Sequence, residues 1–373
     1  MKFIDEYRDA AALRRGLDRL RNRASRPWVI MDVCGGQTHS LLRHGIESAL
    51  TGIIELVHGP GCPVCVTPAA MIDAAADLSL QGGITLTSFG DMLAVPGDRG
   101  SLLQARARGG DVRAVYSPQD AVKLAAREPH RQVVFFAVGF ETTAPATALA
   151  VLQARQLGLR NFRVLAHHVR VEPAMRNVLA TPGNRVQGFL AAGHVCTVTG
   201  YETYETFVRD YSVPVVVTGF EPLDLLAGLD RCVELLEQGD DRVANCYPRC
   251  VLPEGNVTAR RLIDEVFEIT DLPWRGFGLI SEGGLKLRTE FADFDAGRDA
   301  MPEPCPDEAI VSAEERGCRS GDVLSGLIKP PACPLFGTAC TPETPVGAPM
   351  VSSEGACAAY FRYTAPPEAV VHA

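Results

Sequence analysis

Ile53-Ile54-Glu55-Leu56-Val57, running into His58-Gly59-Pro60-Gly61-Cys62-Pro63-Val64-Cys65, decides how this chain is read. The apolar run reads as a buried strand. Gly59, Pro60 and Gly61 then forbid regular structure, which puts Cys62 and Cys65 on a tight loop at the strand's C-terminal end. A Cys-x-x-Cys pair held this way can close a disulfide, ligate a metal or exchange electrons as a dithiol. Cys34 ends a second strand-like run, Trp28–Val33, and is followed by Gly35-Gly36-Gln37-Thr38-His39. Thiols on glycine-rich turns at two strand ends are how an open α/β sheet builds a site. The functional reading requires those two turns to meet.

Outward from this stretch, residues 4–24 read as one amphipathic helix closed off near Pro27. Short β-rich runs then alternate with helical patterns as far as residue 226. The strand candidates are Trp28–Val33, Ile53–Val57, Ile84–Ser88, Val112–Tyr116, Val133–Val138, Phe162–Ala166, Gly188–Leu190 and Val215–Thr218. Helices fit between them at Pro68–Leu78, Gln119–Arg127, Pro145–Leu157 and Pro173–Leu179. This alternation predicts parallel sheets with right-handed crossovers.

The chain also echoes itself at an offset of about 104 residues. Cys34-Gly-Gly-Gln-Thr38 falls on Val138-Gly-Phe-Glu-Thr142, and Gly90–Gly97 falls on Gly193–Gly200. Pro118 and Asp120 fall on Pro222 and Asp224. The expectation is α/β: two similar Rossmann-like parallel-sheet domains, 27–130 and 131–226, related by a pseudo-two-fold. Residues 1–26 with 227–373 make a third, α-helical and irregular domain, its iron–sulfur site within 305–373. The reactive thiols stay in the first copy, because Val138 replaces Cys34 and Ala166–Val169 replaces the Cys-x-x-Cys.

A hydrophobic share of 46% with 22% charged residues excludes a disordered chain. A net charge of -9 without a dense Lys/Arg block argues against nucleic acid. The start, MKFIDEYRDA, lacks a leader-like apolar region and no apolar run reaches membrane-spanning length, so a cytoplasmic protein is expected. Twelve cysteines in that compartment imply metal or redox chemistry.

The C-terminal segment cannot fold on burial alone, and a metal-held unit explains it. Cys318, Cys333, Cys340 and Cys357 supply four thiolates, the number wanted by a [4Fe–4S] cluster or a structural zinc. No two of these lie as close in sequence as a zinc knuckle requires, which favours iron–sulfur. Cys305 is left over and able to replace one of the four. Cys34, at a helix start, is expected to be a thiolate: a nucleophile or a soft metal ligand. Gly139-Phe-Glu-Thr-Thr143 places Glu141 and the hydroxyls of Thr142 and Thr143 where a Rossmann-type turn binds phosphate, although the GxGxxG glycines are missing. His194 and Glu221 sit on two further turns facing the expected cleft.

Together these residues resemble the [NiFe]-hydrogenase maturation factor HypD family. The matching pieces run in order: FIDEYR, Cys34-Gly-Gly-Gln-Thr-His39, HGPGCPVC, Phe89-Gly-Asp91, Gly139-Phe-Glu-Thr-Thr143, Gly193-His-Val195, Gly219-Phe-Glu-Pro-Leu-Asp224, CPLFGTAC and MVSSEGAC. The resemblance implies a scaffold that works with a small HypC-type chaperone to assemble an iron carrying two cyanides and one carbon monoxide. It implies a HypE-type cyanide donor docking on that complex. Cys34 would bind the iron, Cys62 and Cys65 would form a redox dithiol, and Cys318, Cys333, Cys340 and Cys357 would hold a [4Fe–4S] cluster. The candidate reacting groups are then Cys34, Cys62, Cys65, His194, Glu141 and Glu221, and the candidate cofactor contacts Cys34, His39, Thr142 and Thr143. Cys196, Cys246 and Cys250 depart from the pattern, and Gln37 stands where the family often has histidine. Two other functions compete: a free-standing iron–sulfur thiol–disulfide oxidoreductase, and a zinc-stabilised binding protein.

Overall fold

The computed structural model describes residues 5–300 and 312–364, and Cys305 lies outside them. Eleven strands form: β1 (Trp28–Asp32), β2 (Ile54–His58), β3 (Ile84–Ser88), β4 (Val112–Ala114), β5 (Gln132–Gly139), β6 (Phe162–Val169), β7 (Gly188–Ala192), β8 (Val215–Thr218), β9 (Val243–Asn245), β10 (Phe267–Trp274) and β11 (Gly278–Leu287). They make one sheet in the order β2-β1-β7-β8-β9 and another in the order β10-β11-β6-β5-β3-β4. All pairings are parallel except β10 with β11 and β11 with β6. The α/β class and the parallel sheets are therefore as the alternation predicts.

The domain ranges are not. The repeat offset maps β1, β2, β3 and β4 onto β5, β6, β7 and β8. Under that mapping the run β2-β1-β7-β8 of one sheet becomes the run β6-β5-β3-β4 of the other. Each sheet thus takes its first strand pair from one copy and its second pair from the other. The expected boundary at 130/131 falls between β3 and β5, which are hydrogen-bonded neighbours from Ile84↔Gln132 to Ser88↔Phe136. The boundary at 226/227 falls inside the helix Pro222–Gln238.

The expected third domain is also partly absorbed. β9 extends the first sheet, and the β10–β11 hairpin extends the second. The helix Val257–Val266 leads directly into β10. Pro273 is tolerated there because β10 is an edge strand and has no further ladder to feed.

Both faces of each sheet are covered, so the parallel strands are apolar at successive positions. Ile30, Leu56, Leu190 and Val216 pack against Leu20 of the helix Ala10–Arg23 and against Leu225 and Leu229 of Pro222–Gln238. Met31, Val57, Phe189 and Val217 face the opposite way, into a core that also holds Val169 and Trp274 of the second sheet and Phe140 just after β5. That shared core joins the sheets. No described helix is long and apolar enough to cross a membrane.

Candidate functional site

In the first sheet the connections run one way from β1 and the other way from β7, so a crevice opens where these strands end. Cys34 lies on its floor, as the N-cap of the helix Gly35–Arg43. The Cys-x-x-Cys loop leaves the adjacent β2 and folds back onto this turn: Gly35 N–H donates to Gly61 O at 3.0 Å. A methyl group on Gly61 would lie 2.4 Å from both Cα and N of Cys34, so only glycine permits the approach. The two thiol-bearing turns meet, as required. Cys62 and Cys65 are buried and joined as a disulfide with Cα atoms 5.3 Å apart.

Cys34 does not have the low thiol pKa expected of a helix start. Burial pushes it up to about 12, the nearby Glu354 carboxylate adds to the rise, and the amides of Gly36 and Gln37 only partly oppose them. Glu354 belongs to the MVSSEGAC motif 320 positions further along, and nothing local to Cys34 marks it as a neighbour. A methyl group on Gly35 would sit 2.2 Å from Glu354 O, so this C-terminal turn rests directly on the start of the Cys34 helix.

His194 lies on the same rim, exposed, with its ring stacked on Phe220 at a centroid distance of 3.8 Å. Phe220 in turn covers Gly36, where an added methyl would be 3.2 Å from the ring and 3.9 Å from Cys34 Sγ. Gln37 is fully buried beneath them. Its Nε2 donates to Ala191 O at 3.0 Å and Thr218 O at 3.3 Å, while its Oε1 has no hydrogen-bond partner among the described residues.

The remaining candidates lie elsewhere. Glu141 is at the equivalent turn of the second sheet, where Oε1 accepts from Val171 N–H at 3.1 Å and Oε2 is buried without a partner among the described residues. Burial lifts its pKa to about 7. Thr142 on that turn is exposed, and Thr143 donates its hydroxyl to Phe140 O at 3.2 Å. Glu221 caps Pro222–Gln238 and receives both Arg8 Nε at 2.5 Å and Arg8 Nη2 at 2.8 Å, which hold it below the usual carboxylate range. His39 points to the C-terminal helix, its Nε2 3.0 Å from Tyr363 OH.

The C-terminal cysteines gather around the segment 346–348. Val346 N–H donates to Cys340 Sγ at 3.3 Å, and a methyl on Gly347 would be 2.7 Å from Cys318 Sγ. Ala348 packs in the same core as Cys62, Val64 and Cys65. Cys357 shares an apolar pocket with Cys340, Phe336 and Phe361. Its thiol is raised by burial and by the neighbouring Cys318, Cys340 and Cys333. Among the described residues no three His, Cys, Asp or Glu converge tightly enough to hold a single metal ion.

Comparison with known proteins shows the family. The family model described as "Hydrogenase formation hypA family", HypD, matches residues 10–364. The hydrogenase maturation factor HypD of Escherichia coli K12 is 44% identical over 371 residues, covering 97% of this chain and 98% of that protein. The HypD of Azotobacter vinelandii is 44% identical over 380 residues, covering 100% and 99%. That of Rhodobacter capsulatus is 44% identical over 372 residues, covering 97% and 98%. This chain belongs to the HypD family of hydrogenase maturation factors.

Proposed function

We propose that the crevice is where an iron carrying two cyanides and one carbon monoxide is assembled, with a small HypC-type chaperone completing the site and a HypE-type protein delivering cyanide. The observation that supports this most is the convergence of Cys34, the Cys62–Cys65 loop and the Glu354 turn at one sheet switch point. Cys34 is the thiol for the iron substrate, since a soft sulfur ligand suits low-spin iron bearing π-acid groups. Iron binding displaces the Cys34 proton, which a neutral thiol beside a carboxylate retains until a metal competes for the sulfur. His194 on its Phe220 stack forms the outer rim, facing an approaching partner.

Cys318, Cys333, Cys340 and Cys357 fit a [4Fe–4S] cluster. The four thiols neighbour one another electrostatically, with Cys340 and Cys357 against an apolar wall. When bound, a cluster supplies electrons singly. Reduction of the Cys62–Cys65 disulfide takes two electrons and two protons and yields two thiols. The loop's contact with Ala348 brings that chemistry next to the cysteine-rich segment.

Both disulfide sulfurs belong to residues no more than 2% exposed, so an external disulfide substrate has no line of attack. This weighs against a free-standing oxidoreductase. The test is infrared spectroscopy of the anaerobically purified complex with its small partner. Cyanide and carbon monoxide stretching bands are expected, and Cys34→Ala removes them while leaving the brown chromophore. Bands that persist in Cys34→Ala overturn the assignment.

A further inference from the structure

A polar chain, buried at its inner end, runs behind the crevice and uses none of the residues assigned above. At the end of β1, Asp32 Oδ1 accepts from Thr38 Oγ1 at 2.6 Å, and its Oδ2 lies 2.5 Å from His58 Nδ1 at the end of β2. His58 Nε2 lies 3.4 Å from Glu47 Oε2. Glu47 Oε1 then accepts from Lys329 Nζ at 2.5 Å and from Tyr360 OH at 2.6 Å. Tyr360 also meets the His58 ring edge-on at 5.5 Å.

Asp32 and His58 are 0% and 3% exposed. Buried charges persist only when paired and hydrogen-bonded, and this set balances: two carboxylates, an imidazolium and an ammonium. Because both ring nitrogens of His58 face carboxylate oxygens, both donate, and the ring carries its proton. Burial alone would lower the His58 pKa, but Asp32 and Glu47 outweigh it and raise it to about 9. Glu47 is held near 2 despite its burial, by His58, Lys329 and Tyr360.

The ends of the chain give it meaning. Asp32 lies two residues before Cys34, and His58 four before Cys62. Lys329 lies four residues before Cys333, and Tyr360 three after Cys357. One ionic thread therefore ties both thiol-bearing strand ends to both flanks of the C-terminal cysteine segment. We propose that Asp32–His58–Glu47 is a positioning latch that holds the Glu354 turn and the C-terminal cysteines over the Cys34 crevice, with His58 as its central positioning residue. Its consequence for iron assembly rests on the function proposed above; the latch itself does not.

The test uses the isolated full chain and needs no partner. Cys34 alkylation by iodoacetamide and hydrogen exchange of the helix Ala356–Thr364 are followed by mass spectrometry. His58→Phe, which keeps a ring but not its donors, is expected to speed both by at least about tenfold, since it removes hydrogen bonds to charged groups. Exchange in β5 and β6 should not change, which a general loss of stability would not produce. Should His58→Phe fail to fold, Lys329→Met and Tyr360→Phe, at the chain's outer end, are expected to act in the same direction. Their double variant should be non-additive, because both grip one Glu47 oxygen. Unchanged alkylation and exchange in folded variants, or strict additivity of Lys329→Met and Tyr360→Phe, overturns the latch. If infrared bands are absent but these rates respond, the iron assignment fails and the latch stands.

Discussion

Gly61→Ala tests the contact on which the site depends. The added Cβ would start 2.4 Å from Cys34 Cα and N and 2.5 Å from Val33 C, and ordinary contact begins at 3.4 Å. These are backbone atoms, which cannot turn aside as a side-chain tip can. The loop must therefore retreat by about 1 Å, breaking the bond from Gly35 N–H to Gly61 O. Overpacking of this kind costs about 1–3 kcal/mol. The lost hydrogen bond adds about 1 kcal/mol, for a total of about 2–4 kcal/mol. Gly82→Ala is the matched control, because a Cβ there meets nothing within 4 Å and the backbone is not left-handed. Urea unfolding of both variants gives the comparison, and infrared spectroscopy of the partner complex reads the site. Gly61→Ala is expected to lose stability by that amount together with its bands, with Gly82→Ala retaining both. If the two variants unfold within about 0.5 kcal/mol of each other, the turns do not meet as described.

Glu141 ties stability to pH. Its folded-state pKa of about 7 lies above the ordinary 4.5, so the folded chain holds a proton that the unfolded chain has released between those values. Stability from this group is therefore undiminished below about pH 4.5, falls as the pH rises towards 7, and stays low above it. Glu141→Gln is expected to remove that slope. It should raise stability at pH 8 by up to about 3 kcal/mol and change little at pH 4, as urea midpoints across the range will show. Cys340→Ser should abolish the brown chromophore and the roughly four iron atoms per chain expected of one [4Fe–4S] cluster, as iron analysis will check. The exposed Cys250→Ser should leave both in place.

Local structure was legible where local chemistry decides it. Strand ends, the helix read at Gln119–Arg127 and found at Pro118–Arg127, and the Cys34 turn follow from apolar runs punctuated by glycine and proline. The β10–β11 hairpin was not, because Ile269 faces solvent at 52% exposure and Pro273 argues against a strand. The domain ranges failed for a different reason. Strands covered on both faces carry no mark of which sheet they join, so contiguous repeats looked like contiguous domains. The Cys34 pKa failed because burial under the packed turns dominates it, and a carboxylate from a distant segment adds to the rise. The local amide argument was correct in sign but smaller than desolvation. His39 and Glu221 were named for their motifs, yet their polar atoms meet Tyr363 and Arg8.

The exchange of strand pairs between copies bears on how the chemistry came to be one-sided. Because each sheet draws on both copies, each sheet's switch point is built from the first turn of one copy and the third turn of the other. The repeat places Gln37 and Glu141 at matching positions on these turns, and each carries one buried side-chain oxygen without a partner among the described residues. The scaffold thus offers two similar crevices. What separates them is the Cys-x-x-Cys loop, which only the first copy supplies, and the C-terminal segment, which presses Glu354 onto Gly35 and Ala348 into the core beneath Cys62 and Cys65. Neither half can be removed without stripping strands from the other's sheet. The second copy is therefore retained as structure: its β7 and Gly193-His194 turn form one wall of the crevice in which the first copy's cysteine sits.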